Sequence, residues 1–107
     1  MAWSIDVLDY RVLKELDALS SDVRQRFLRL SELIERHGAA AMHEPHVKHV
    51  EGKLWEMRMK GRAGIAYAIY VVATGERVVV VHAFIRKIRQ TPRRALEVAR
   101  VRVREVR

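Results

Sequence analysis

Two apolar runs, Ile65–Ala73 and Val78–Ile85, stand almost back to back, separated by a turn at Thr74-Gly75-Glu76. Both are of strand length and apolar at odd and even positions alike. That pattern belongs to strands covered on both faces or central in a sheet. A chain with such a pair has to supply two covering layers. The candidates are a helical hairpin before the runs and an arginine-rich helix after them. A first helix over roughly Tyr10–Leu19 lines up Val12, Leu13, Leu16 and Leu19. A second starts from the cap oxygens of Ser20, Ser21 or Asp22 and aligns Val23, Phe27, Leu30 and Ile34, with Leu33 beside them. Gly38 suits its C-terminal end. Thr91 as N-cap and Pro92 as first residue open the last helix, whose buried stripe is Ala95, Leu96, Ala99, Val103 and Val106.

The remaining elements follow from period. Trp3–Leu8 reads as a short alternating strand, and His43–Gly52, with Pro45 inside it, as a loop. In Leu54–Lys60, Trp55, Met57 and Met59 alternate with Leu54, Glu56, Arg58 and Lys60. Gly61–Gly64 turns the chain into the first apolar run. The order is β-α-α-β-β-β-α. This is an α+β domain spanning 1–107, with the helical hairpin packed on a mainly antiparallel sheet.

Charge is uneven. The net charge is +8, and from Phe84 onward nine Lys/Arg face only two Glu. Clustered cations point first to nucleic acid, whose phosphates release counterions on binding. Acidic protein, anionic membrane and a merely solvated helix face compete with that reading. The chain has no cysteine, which excludes disulfides and Cys-ligated zinc. Neither a signal peptide nor an apolar run long enough for a bilayer is present, so the cytoplasm is the expected location.

In a meander the start of Ile65–Ala73 meets the end of Val78–Ile85. Lys60 and Arg62 are then expected near Arg86 and Lys87, with Arg58 and Arg89 close by. Convergent guanidinium groups bind phosphate bidentately and stabilise charge developing on it. A lysine among other cations loses proton affinity and can act as acid or base. Such a site suits metal-free RNA cleavage with the ribose 2′-hydroxyl as nucleophile, or, as a non-chemical rim, an acidic partner. Tyr67, on the neighbouring strand, adds a phenol. Trp55, Tyr67 and Tyr70 are candidates for base stacking, although strand aromatics are more often core. His43, His46 and His49 have an HxxHxxH spacing, but Pro45 breaks any helix that would present them together, so no metal is expected. His82, expected to share a face with Val80, Phe84 and, if the strand runs on, Arg86, reads first as a core histidine with one nitrogen satisfied, and second as an acid or base. His37 ends its helix, where it meets the dipole.

Three segments together resemble the phage-derived, HigB-type branch of the RelE/ParE toxin superfamily: Leu54-Trp55-Glu56-Met57-Arg58, the strand ending His82-Ala83-Phe84, and Thr91-Pro92-Arg93-Arg94. The resemblance covers roughly Trp3–Glu105. It implies the small RelE-like fold, two helices against a curved sheet. It implies the toxin of a type II toxin–antitoxin system, a ribosome-dependent mRNA endoribonuclease working without metal or cofactor. It places Arg58, Arg86 and Lys87 in the catalytic site; the strand position of Tyr67 adds it as a further catalytic candidate, and the charge reading puts Lys60, Arg62, Arg89, Arg93 and Arg94 on the RNA. The implied partners are a helix-turn-helix, HigA-like antitoxin, mRNA on the ribosome and ribosomal RNA, with promoter DNA bound only through the antitoxin and no membrane. Tyr67 stands where relatives commonly carry an arginine, Ile88 where threonine is usual and Gln90 where lysine is usual. A gyrase-inhibiting, ParE-like toxin and an attenuated toxin that only binds its antitoxin are the alternatives.

Overall fold

The computed structural model describes residues 2–43, 46–62, 64–86 and 91–107. Its elements are β1 (Ser4–Val7), α1 (Tyr10–Asp17), α2 (Ser21–His37), β2 (Val47–Glu51), β3 (Leu54–Lys60), β4 (Ile65–Ala73), β5 (Arg77–Arg86) and α3 (Arg93–Val103). The sheet order is β1-β5-β4-β3-β2. The chain leaves one edge at β1, crosses one face as α1 and α2, re-enters at the opposite edge as β2, and returns as an antiparallel meander. Its last strand, β5, lies parallel to β1.

The doubly apolar runs are central, as their pattern requires. Ala66, Ala68, Tyr70, Val78 and Val80 pack under the helical hairpin with Val12, Leu16, Leu19, Val23, Leu30, Ile34, Met57 and Met59. Ile69, Val71, Val79 and Val81 face the other way, with Leu54 and Ala99 of α3. Leu13 and Leu33, expected on the buried stripes, are exposed. Gly38 ends α2 at φ +84°, and a β-carbon there would come within 2.7 Å of the Trp3 indole nitrogen. Only glycine meets both conditions without strain.

Three expectations are corrected. His43–Gly52 contains the edge strand β2, which bonds to β3. Its sequence, Val-Lys-His-Val-Glu, lacks a clean alternation because only Val47 is fully buried. Polar, short edge strands are the usual form of such an element. Thr91 does not cap α3. Pro92 takes the N-cap position without a side-chain bond, and the Thr91 hydroxyl is committed to Glu56 and Arg86. Third, His82 does not share a face with Val80. Tyr70 pairs with Val80 and Ile69 with His82, so one extra residue sits in β5 at Val81. A one-residue shift inverts every side chain beyond it. It carries Phe84 and Arg86 from the hairpin side to the α3 side, beside Tyr67.

β1 ends at Val7, leaving the second half of β5 without a strand neighbour on that side. Two side chains take over two of the backbone groups there. Glu15 of α1 accepts from the Ala83 amide at 3.1 Å, and Arg102 of α3 donates to the Val81 carbonyl at 2.9 Å. The two also pair with each other at 2.9 Å. An open sheet edge is thereby closed by an ion pair.

Candidate functional site

The β5 irregularity builds a buried cluster at one end of the sheet. Tyr67 of β4 lies between Arg58 of β3 and Phe84 of β5 in one row. Arg86, one step further along β5, bends back over it. Its guanidinium carbon sits 3.4 Å from the centre of the Tyr67 ring. It then reaches Glu56 at 3.2 Å, in a pair whose side chains are only 7% and 4% exposed. The Thr91 hydroxyl donates to Glu56 at 3.0 Å and accepts from Arg86 at 2.9 Å. Tyr67 also stacks with Phe84, ring centres 6.0 Å apart. The Nε atom of Arg86 is buried without a partner. Cation–π contact and a doubly bonded carboxylate hold this arginine inward.

The neighbouring cations behave differently. Arg58 and Lys60 extend past the start of β2, where the Arg58 amide still bonds to the His46 carbonyl at 2.8 Å. Their side chains line an open trough of about 250 Å³ with Arg26 and His46. A second trough of about 320 Å³ adjoins it, lined by Asp22, Gln25, Arg26, Arg29, Lys60, Gly61 and Arg62. Asp22 accepts from the Arg62 amide at 2.7 Å and from the Val23 amide at 3.0 Å, tying the β3–β4 turn to the start of α2. The Ser20 hydroxyl and these amides hold its carboxyl below the usual carboxylate range. Gly61 packs so tightly on α2 that a β-carbon would lie 2.6 Å from Val23 and 2.9 Å from Asp22. Among the described residues, the side chains of Arg26, Arg29, Arg58, Lys60 and Arg62 meet no acidic partner.

A phage family supplies the relationship. The family model described as Phage derived protein Gp49-like (DUF891) matches residues 14–104. The chain belongs to this Gp49-like family. No curated protein sequence matches the chain. Two solved structures share the fold. One is the archaeal RelE–RelB complex from Pyrococcus horikoshii OT3, with TM-score 0.61 and 22% identity over 83% of this chain and 100% of that one. The other is a mutant of E. coli toxin RelE in the free state, with TM-score 0.61 and 22% identity over 100% of both chains. The Gp49-like chain therefore has the RelE-like small-domain fold.

Against the sequence reading, the strand ends meet as expected, since Lys60 and Arg86 both pair with Ile65. Their side chains separate. Arg86 turns in to Glu56, while Arg58, Lys60 and Arg62 turn out to α2. Lys87 and Arg89 lie outside the described residues, as do Ile88 and Gln90. Arg93 and Arg94 are exposed at the start of α3. Further along, Arg100 pairs with Glu51 at 2.6 Å and Arg102 with Glu15, so part of the C-terminal charge fastens α3 to the sheet. Tyr70 is buried, its hydroxyl pushed up to about 12 by desolvation. Trp55 is part-exposed and meets His49 edge-on at 5.0 Å. His49 reaches the Gly52 carbonyl at 2.8 Å, and no metal-like cluster occurs among the described residues. Arg26 and Arg29 escaped the sequence reading because residues 1–37 are nearly neutral as a block. The signal was positional: Asp22, Gln25, Arg26 and Arg29 recur at helical spacing along the flank of the apolar stripe.

His82 is largely buried and bonds Glu15 at 3.0 Å. Burial lowers its proton affinity, outweighing Glu15. Burial opposes ionisation of Glu15 too, but bonds from Arg102, His82 and the Ala83 amide hold its carboxyl low. Both groups bind protons more readily when unfolded. Stability is then full above the ordinary histidine value of 6.5 and falls as pH drops below it, first through His82 and, at lower pH, through Glu15. The melting temperature is expected to fall from pH 7.5 to pH 5, and His82→Gln should flatten that dependence. An equally steep profile for the variant would remove His82 as its source.

Proposed function

We propose that this chain is the toxin of a type II toxin–antitoxin system, of the HigB-type branch, and that it cuts mRNA on the ribosome without metal. The observation that carries the reading is the run of cations, Arg58, Lys60 and Arg62, that meet no acidic partner among the described residues, beside the Tyr67 row. An exposed like-charge cluster destabilises the folded chain through self-repulsion, and a polyanion relieves it. The RelE-like fold is consistent with the reading but hosts several activities, so fold does not decide it.

In the proposed reaction the ribose 2′-oxygen attacks the adjacent phosphorus and loses its proton. The bond from phosphorus to the 5′-oxygen breaks, and that oxygen takes up a proton. Arg58 holds a non-bridging oxygen and stabilises the added negative charge. We assign the proton exchange to Lys60 and Lys87. Arg86 and Tyr67 form the floor: Glu56 already engages the guanidinium, so Arg86 contributes by holding Tyr67 and the strand ends in place. Arg89, Arg93 and Arg94 contact RNA outside the reacting phosphate. The partner is a HigA-like, helix-turn-helix antitoxin, through which alone promoter DNA is bound.

A second reading is an attenuated toxin that retains antitoxin binding, favoured by the commitment of Arg86 to Glu56. Purified protein with programmed ribosomes separates the two. Cleavage within the decoding-site codon is expected, and intact mRNA, with a tight antitoxin complex, would favour attenuation. Induction in cells should stop translation before DNA-damage signalling begins. The reverse order would point to gyrase and overturn the nuclease reading.

A further inference from the structure

We propose that the face of α2 carrying Arg26 and Arg29 is a second phosphate subsite, which holds the backbone of single-stranded RNA away from the phosphate bound at Arg58. The inference rests on the nuclease reading and names where the rest of the substrate runs.

The two troughs share Arg26 and Lys60 in their walls, so they lie side by side between Arg58 and Arg29. Their walls are fixed. The Asp22 bond to the Arg62 amide and the close approach of Gly61 to Val23 clamp the turn onto α2. The outer trough carries Arg26, Arg29, Lys60 and Arg62 against Asp22 alone, and the Asp22 oxygens are taken by Ser20, Val23 and Arg62. Elsewhere several arginines close onto carboxylates: Arg11 on Asp9 and Glu105, Arg100 on Glu51, Arg102 on Glu15. Arg26 and Arg29 have exposed positions on α2 and no such partner among the described residues.

The shape selects the ligand class. A small anion is usually bound in an enclosed pocket, whereas an open trough suits a polymer passing through. A protein partner needs apolar or aromatic anchors at the centre of its contact. The outer trough is lined by charged and amide side chains and Gly61, with no such anchor. Phosphate contacts need none and fix register without reading sequence.

The test uses the whole chain and a short single-stranded RNA with 2′-O-methyl riboses, which cannot be cut. Binding is measured across a salt series. Arg26→Ala/Arg29→Ala is expected to weaken binding about 10-fold, and to reduce the slope of log K against log salt by about 1.4, the value for two lost contacts to single-stranded phosphate. Arg26→Lys/Arg29→Lys should restore most of the slope. Arg36→Ala, which removes an exposed charge further along α2, should leave affinity within about two-fold because one distant charge is largely screened. If the parent binds the RNA and the Ala double variant binds equally with an unchanged slope, the subsite is absent while the nuclease reading stands. If the parent binds no RNA, the subsite falls, and cleavage on programmed ribosomes still decides the nuclease reading. If the double variant loses antitoxin affinity but keeps its RNA affinity, the outer trough is a protein contact and the proposal is overturned.

Discussion

Glu56→Ala is expected to lower stability by about 3–5 kcal/mol, the usual result of removing one member of a buried ion pair. Arg86 would keep its charge at a side chain only 7% exposed, with no carboxylate in reach. Thr91 would lose the acceptor that holds it at the approach to α3. At roughly 4–8 °C per kcal/mol, the melting temperature should fall by on the order of 15–30 °C. Glu56→Gln should cost less, because its amide oxygen still accepts from Thr91. Removing both charges, as Glu56→Met with Arg86→Met, should also cost less than Glu56→Ala, since apolar groups often replace a buried pair without penalty. A melting temperature within about 2 °C of the parent for Glu56→Ala would show that the pair carries no structural weight.

That pair also marks how far the sequence was readable. The doubly apolar runs fixed the sheet's centre because apolarity on both faces admits few alternatives. The alternation in Leu54–Lys60 put Met57 and Met59 on one row, and both are fully buried, but it put Trp55 with them, which is exposed, and Glu56 opposite, which is buried. The irregularity at Val81 had no sequence mark. It falls in an unbroken valine run, without the glycine that often signals such a site, and it decides which face receives Arg86. Charge counting then misled in both directions. It gave the C-terminal quarter nearly all the surplus, although Arg86, Arg100 and Arg102 are spent on Glu56, Glu51 and Glu15. It gave the first helices none, although Arg26 and Arg29 on α2 meet no acidic partner among the described residues. Net charge counts residues, whereas attraction for a polyanion depends on which charges lack partners inside the fold.

Arg58 is therefore the sharper probe of the proposed nuclease. Arg86→Ala would leave Glu56 buried and unpaired, so lost activity in that variant has two explanations. Arg58 is exposed and, among the described residues, without an acidic partner, and substitutions at such positions usually change stability by no more than about 0.5 kcal/mol. Arg58→Ala is expected to melt with the parent and to cleave ribosome-bound mRNA about 10²–10³-fold more slowly, the range for losing one donor to a developing oxyanion. Growth arrest on induction should be relieved accordingly. Arg58→Lys should recover part of the rate, because it restores charge but not the planar, two-pronged contact with phosphate. If Arg58→Ala arrests growth like the parent at equal protein level, the reacting phosphate does not lie against β3. The Tyr67 row would then be a structural floor under a site placed elsewhere.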